Sequence, residues 1–196
     1  MKGILLFLTF LMFISVKGAS EASILEIPEF LPSENYVHDL HHWMAGYYNV
    51  FFPPKYGIES CGHVTVCFNQ KESYYFLNYL DAMAKWFGCI IKKKSNFVEC
   101  INETKKLTAL ASFVKNKAVC WSKVVQMKGI YPNPSIIFQD SSNPPDTTQV
   151  MNYIETSIDL MTKAFSLAGN NHEDIDEYQA SGRNLGLAMQ SYFPKK

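Results

Sequence analysis

The stretch that decides the fold is SYYFLNYLDAMAKWFGCII, residues 73–91. At 100° per residue its apolar side chains fall on one helical face, and further apolar residues carry that face round most of the helix. The centre of the face is Leu77, Leu80, Ala84, Phe87 and Ile91. A helix this apolar is surrounded by other elements. Asp81 and Lys85, four residues apart, are predicted to pair on its polar stripe, which also holds Asn78 and Lys92.

A second helical pattern follows the polar segment Lys92–Asn96. Its apolar residues recur at helical spacing: Phe97, Ile101, Leu107, Leu110, Ala111, Val114, Ala118 and Trp121. Lysines suit the end of the first helix, and Ser95 or Asn96 suits the start of the second. Residues 73–121 are therefore predicted to form an antiparallel helical hairpin that turns near Ser95.

All five cysteines lie between Cys61 and Cys120. Facing residues of an antiparallel pair have residue numbers with a constant total, and that total is 189 for Cys89 with Cys100 and 187 for Cys67 with Cys120. Both totals fit a turn near residue 95, so these pairs are the predicted disulfides. Cys61–Cys120 and Cys61–Cys67 stay open as alternatives, since five cysteines allow fifteen ways to form two bridges. A leftover, exposed Cys61 would permit a covalent homodimer.

Residues 1–18 have the pattern of a secretory signal peptide. Lys2 supplies the positive start, and residues 4–16 form an apolar run broken by Thr9 and Ser15. A short membrane anchor is the alternative. We expect a secreted protein, or one in the lumen of the secretory pathway, where disulfides persist. Residues 19–32 are expected to be an extended leader, and residues 33–196 a single helical domain.

Three further helices are predicted. One starts at a Ser33 cap and runs to Phe51, where Pro53 and Pro54 end it. The next starts at Asp146 or Thr147 and runs to about residue 168. The last begins near the acids Glu173, Asp174 and Asp176, and its apolar seam is Ile175, Tyr178, Gly182, Leu185, Met189 and Tyr192. The predicted fold class is all-α: a disulfide-clamped helical bundle of about five helices around a central antiparallel hairpin.

Gly182 and Gly186 lie inside the last predicted helix. Each disfavours the helix by about 1 kcal/mol relative to alanine. The compensation we expect is close approach of a neighbouring helix. The membrane-dimer meaning of this spacing does not transfer, because Arg183 and Asn184 lie within the same segment.

Charge is nearly balanced but unevenly placed. Loss of the two lysines in residues 1–18 leaves 16 basic and 18 acidic residues, or a net charge of −2, which argues against nucleic acid as a partner. Residues 85–128 hold ten lysines and two acids, whereas residues 140–177 hold eight acids and one lysine. Mutual attraction of the two halves is the favoured interpretation. The alternative is a basic surface for anionic lipid.

No catalytic, cofactor or metal-binding residue is predicted. His38, His41 and His42 lie within about one turn, and imidazole suits zinc or copper. They flank the apolar face, however, and a zinc ion would need a fourth ligand, so solvated histidines are the favoured interpretation. Cys61 with His63 matches no known nucleophile motif, and there is no glycine-rich phosphate loop.

The leading functional prediction is a secreted, non-catalytic helical binding or interaction protein. Its partner would be an unknown protein or an apolar small molecule held in a pocket between helices. A membrane-surface protein acting through the lysine-rich hairpin is the second hypothesis. A metal-dependent enzyme using His38, His41 and His42 is the third. Asn102-Glu103-Thr104 is the N-glycosylation sequon, so a glycan is predicted on Asn102.

Overall fold

The computed structural model describes residue 30 and residues 35–51, 67–93, 97–127, 146–167 and 174–193. These residues form five α-helices: α1 Tyr36–Phe51, α2 Gln70–Lys92, α3 Ile101–Met127, α4 Thr147–Leu167 and α5 Ile175–Tyr192. A 3₁₀ helix, Phe97–Cys100, leads into α3. No strand occurs among the described residues. The prediction of an all-α bundle is confirmed. The predicted signal peptide, the leader apart from Phe30, and the Ser33 cap lie outside the described residues, as do Pro53, Pro54, Cys61 and His63.

The starts of α1, α2 and α4 are each explained by a side chain that accepts free backbone amides, whereas no side chain caps α5. Asn69 Oδ1 accepts from Glu72 N at 2.9 Å while Asn69 N donates to Glu72 Oε2 at 2.9 Å, which is a capping box. This cap starts α2 at Gln70, three residues before the predicted Ser73. Asp146 Oδ1 accepts from Thr148 N at 3.0 Å at the start of α4. At α1 the side chain of Asn35 accepts from His38 N at 3.4 Å.

Helix α2 is the centre of the bundle and is buried on nearly every side. Leu77, Tyr79 and Leu80 have no more than 1% of their surface exposed. The stripe predicted to be polar is itself largely covered, because Asn78 and Asp81 are buried. Asn78 Nδ2 donates to Tyr74 O at 2.9 Å. The predicted Asp81–Lys85 ion pair is confirmed, with Lys85 Nζ 2.7 Å from Asp81 Oδ2.

Helices α1 and α5 pack closely through their glycines. A Cβ at Gly182 would lie against the carbonyl oxygen of Trp43, closer than real Cβ atoms come, and a Cβ at Gly186 would lie 3.1 Å from Tyr47 O. Residue numbers rise together along both helices, so α1 and α5 run in the same direction. Gly46 of α1 makes the reciprocal approach to the backbone of α5. The close helix approach predicted at Gly182 and Gly186 is confirmed.

A buried polar cluster joins α5 to α4 and α1. The Ser157 hydroxyl donates to Ser181 O at 2.9 Å, and the Ser181 hydroxyl donates to Ser157 O at 2.9 Å. Trp43 Nε1 donates to Ser181 Oγ at 3.3 Å. Both serines are almost fully buried. Because buried polar groups are costly when unpaired, this cluster favours one relative placement of the three helices.

Candidate binding surface

The hairpin of α2 and α3 is antiparallel and is joined at both ends by disulfides. Cys67–Cys120 has a Cα–Cα distance of 5.7 Å and Cys89–Cys100 one of 5.9 Å, both ordinary for a disulfide. These are the two pairs indicated by the residue-number totals. Cys61, the alternative partner, lies outside the described residues.

Contacts between the bridges follow the same register. Trp86 Nε1 donates to Thr104 Oγ1 at 3.1 Å near the turn. The rings of Tyr75 and Phe113 stack with centroids 5.0 Å apart, further along the hairpin. Residue numbers in these contacts total 190 and 188, close to those of the bridges. The hairpin is therefore in one antiparallel register from the turn to the open end.

The return arm of the hairpin carries the exposed large apolar side chains of the described residues. Val98 is 79% exposed, Ile101 51% and Phe113 54%. Val98 and Ile101, together with the exposed residues Asn102 and Lys105, are called the hairpin surface here. Phe113 lies about 18 Å further along α3, at 1.5 Å per residue, and its ring already stacks on Tyr75.

The exposure of Ile101 corrects its predicted place on the inward stripe of the return helix. Cys100 is the fully buried residue at this level, and Leu107 and Leu110 continue the same inward face. Ile101 follows Cys100 by one residue, so it lies about 100° round the helix from that face. The segment before it is a 3₁₀ helix with three residues per turn, so the helical phase cannot be carried forward from Phe97.

Several charged side chains of the hairpin form ion pairs within the chain. Lys92 Nζ lies 2.6 Å from Glu155 Oε1 of α4, which is one contact of the predicted kind between the basic and acidic halves. Lys93 Nζ lies 2.9 Å from Glu99 Oε2 across the turn, and this hydrogen bond raises the pKa of Lys93.

Towards the open end of the hairpin, Lys117 Nζ lies 2.7 Å from Glu72 Oε1. Partial desolvation raises the pKa of Glu72, but hydrogen bonds from Lys117 and from the Asn69 amide outweigh it. The pKa of Glu72 is therefore below its usual value. The paired acid holds this end of α3 against the start of α2.

The predicted glycosylation site lies beside the exposed apolar pair. Asn102 is exposed near the start of α3. The hydroxyl of Thr104, the third residue of the sequon, donates to Cys100 O at 2.8 Å and accepts from Trp86 Nε1. The asparagine thus points to solvent while its threonine is part of the hairpin contact.

The three histidines of α1 are half-buried and in contact, not fully solvated. Nε2 of His38 and Nε2 of His42 are 3.2 Å apart, and their ring centroids are 4.4 Å apart. The ring of His41 lies 5.2 Å from that of His42. Within the described residues, no group of three or more His, Cys, Asp or Glu side chains is placed to hold a metal ion.

The exposure of Val98 and the burial of the serine pair could not be predicted from the sequence. Val98 gave no periodic signal, since it lies in a four-residue 3₁₀ helix. Ser157 and Ser181 are short polar residues whose burial depends on which helices meet.

Comparisons with other proteins identify no relative. No protein-family model, characterised protein or solved structure matches this chain. Among the described residues, no helix combines the length and the apolar content that crossing a membrane requires.

Proposed function

We propose that this chain is an exported, non-catalytic protein that acts by binding another protein through the hairpin surface. The observation that carries the proposal is the exposure of Val98 and Ile101 on a segment that is otherwise tightly constrained. The Cys89–Cys100 bridge fixes the segment within two residues of either side chain. A pre-organised surface loses less conformational freedom on binding, which favours affinity.

The chemistry of the surface indicates its partner. Val98 and Ile101 would form an apolar centre, and Lys105 and Lys106 on the following turn of α3 supply positive charge at its edge. A complementary partner would carry an apolar pocket with acidic residues at its rim. The lysines would then contribute mainly to the rate of association and to its dependence on salt.

An anionic membrane is the weaker candidate for the same surface. A lysine near the surface of an anionic membrane contributes about 1 kcal/mol to binding when its charge is not already paired within the protein. Lys92, Lys93 and Lys117 are each in an ion pair within the chain, which reduces the charge offered to lipid. The exposed apolar surface is also smaller than the apolar face of a helix that lies in a membrane interface.

The proposal is tested by placing a charge within the apolar centre. Partners captured from the secretory fluid of the source would be identified, purified and titrated against wild-type, Ile101→Glu and Thr156→Glu chains. Thr156 is an exposed residue of α4, so it controls for the added charge. We expect at least tenfold weaker binding for Ile101→Glu and unchanged binding for Thr156→Glu. Equal affinities for all three chains would refute this use of the surface.

Two further measurements separate the alternatives. Binding is compared before and after enzymatic removal of N-glycans, since a glycan on Asn102 would stand next to Ile101. Vesicles of phosphatidylcholine with 30% phosphatidylserine are the probe for the membrane hypothesis. Binding that falls steeply with salt and is lost in Lys105→Gln would favour the membrane over a protein partner.

A further inference from the structure

Two histidines of α1 converge on one point. His38 and His42 are four residues apart, so they lie on the same face of the helix one turn apart. Their Nε2 atoms are 3.2 Å apart, with the ring planes inclined at 63°. Both side chains are half-buried, which restricts the rotamers that would separate them.

We infer that His38 and His42 form a two-histidine site for a divalent cation of the zinc type. Zinc–imidazole bonds are about 2.0–2.1 Å long. Two nitrogens 3.2 Å apart at that bond length subtend an angle of about 100–106° at the ion. This is close to the roughly 109° of a tetrahedral centre and further from the roughly 90° of a square-planar one. Little side-chain movement is therefore needed to accept the ion.

The site supplies two of the four ligands of a tetrahedral ion. Among the described residues, the nearest further imidazole is that of His41, with its ring 5.2 Å from that of His42. No third ligand completes the group among the described residues. The proposed site is therefore defined by His38 and His42 alone, and the further ligands of a bound ion are left to water or other groups. Closed structural zinc sites have four protein ligands, and a site with fewer takes water or another molecule in the remaining positions.

The competing account is a simple hydrogen bond between two neutral imidazoles, with one nitrogen donating and the other accepting. That arrangement also fits 3.2 Å. The two accounts differ in what added zinc does. A hydrogen-bonded pair without affinity for the ion shows no saturable binding, whereas the proposed site binds one ion and is stabilised by it.

The test uses the full chain without a polyhistidine tag, carrying Cys61→Ser so that no leftover thiol competes for the ion. Zinc chloride is titrated calorimetrically into this chain and into His38→Gln, His42→Gln and His41→Gln versions of it. We expect one ion per chain, with at least tenfold weaker binding in His38→Gln and His42→Gln and binding within twofold in the matched control His41→Gln. At zinc a hundredfold above its Kd, the melting midpoint should rise by about 5–10 °C.

Nuclear magnetic resonance of the histidine rings keeps the test independent of how the variants fold. In the chain that retains all three histidines, zinc should shift the Nε2 resonances of His38 and His42. Absence of saturable binding, binding without those shifts, or an equal loss in His41→Gln would each overturn the site.

Discussion

Replacing Gly182 with alanine should destabilise the bundle, although alanine is the better helix former. The new Cβ would press on the carbonyl oxygen of Trp43, which belongs to the backbone of α1 and cannot rotate away. Helices α1 and α5 would have to separate until the contact reaches the ordinary range of 3.4–4 Å. Gly46 makes the same close approach to the backbone of α5, so the two helices meet through backbone atoms rather than through movable side chains.

The magnitude follows from two opposing terms. Alanine gains about 1 kcal/mol of helix propensity over glycine. Overpacking a close contact costs about 3 kcal/mol at the upper end of its usual range. Where the separated helices leave a gap of about 0.5–1 Å, each dispersion contact across it loses about a quarter to a half of its energy. The expected net loss is about 2 kcal/mol, or a fall of about 4–8 °C in the melting midpoint for a chain of this size.

Urea unfolding followed by circular dichroism measures this loss. Gly88→Ala is the matched control, because its Cβ would lie 3.0 Å from Ile154 Cγ2 and 3.5 Å from Met151 Cε, both side-chain atoms that can move. The gain in helix propensity should offset that milder contact, leaving stability within about 0.5 kcal/mol of wild type. A Gly182→Ala chain as stable as the Gly88→Ala chain would refute the role assigned to the α1–α5 contact.

Three further predictions concern the hairpin. Peptide mapping of the unreduced protein should recover Cys67–Cys120 and Cys89–Cys100, and a Cys61–Cys120 peptide would contradict the pairing. Serine replacement of Cys67 and Cys120 should lower stability more than replacement of Cys89 and Cys100, because loops of 54 and 12 residues correspond to about 4 and 3 kcal/mol of loop entropy. Lowering the pH below about 4.5 should remove the stabilisation of under ~1 kcal/mol that the Glu72–Lys117 pair contributes. A carboxylate whose pKa is depressed in the folded state stabilises that state above its unfolded pKa, and the stabilisation is lost as the carboxylate protonates. The stability of Lys117→Met should therefore depend less on pH than that of wild type, and an unchanged dependence would exclude this pair as its source. Treatment of the chain from a eukaryotic secretory host with an N-glycosidase should increase its gel mobility, and Asn102→Gln should abolish the shift; a shift that persists would place the glycan elsewhere.

The hairpin could be predicted because its signals are local or nearly so. Apolar residues repeat at the helical period, and the cysteine totals depend only on two antiparallel helices and a short turn. The prediction of which residues face inward was wrong where the helical period changes. Four residues of 3₁₀ helix precede α3, and there Cys100 faces inward while Ile101 faces outward. The start of α2 was missed because Asn69 and Glu72 act as a reciprocal cap ahead of the first apolar residue.

The partners of the helices could not be predicted in the same way. The apolar face of α1 could pack against any other apolar face. Gly182 indicates that a neighbouring helix approaches closely, but it does not identify that helix. The exchange of hydrogen bonds between Ser157 and Ser181 exists only once α4 meets α5. The convergence of His38 and His42 depends on side-chain rotamers, whereas their spacing alone was compatible with solvated rings.

The contact between α1 and α5 can form only late in the synthesis of the chain. The hydrogen bond from Trp43 to Ser181 spans 138 residues, so at a synthesis rate of about 5–20 residues per second α1 waits roughly 7–28 s for its partner. The hairpin cysteines are only 53 and 11 residues apart and can be joined during that interval. The nascent chain would thus hold an oxidised hairpin beside a helix whose α5-facing side is uncovered, although Tyr36 of α1 already contacts Tyr74 of the hairpin. A chain that stops before residue 175 would keep that side of α1 uncovered however completely its cysteines had paired.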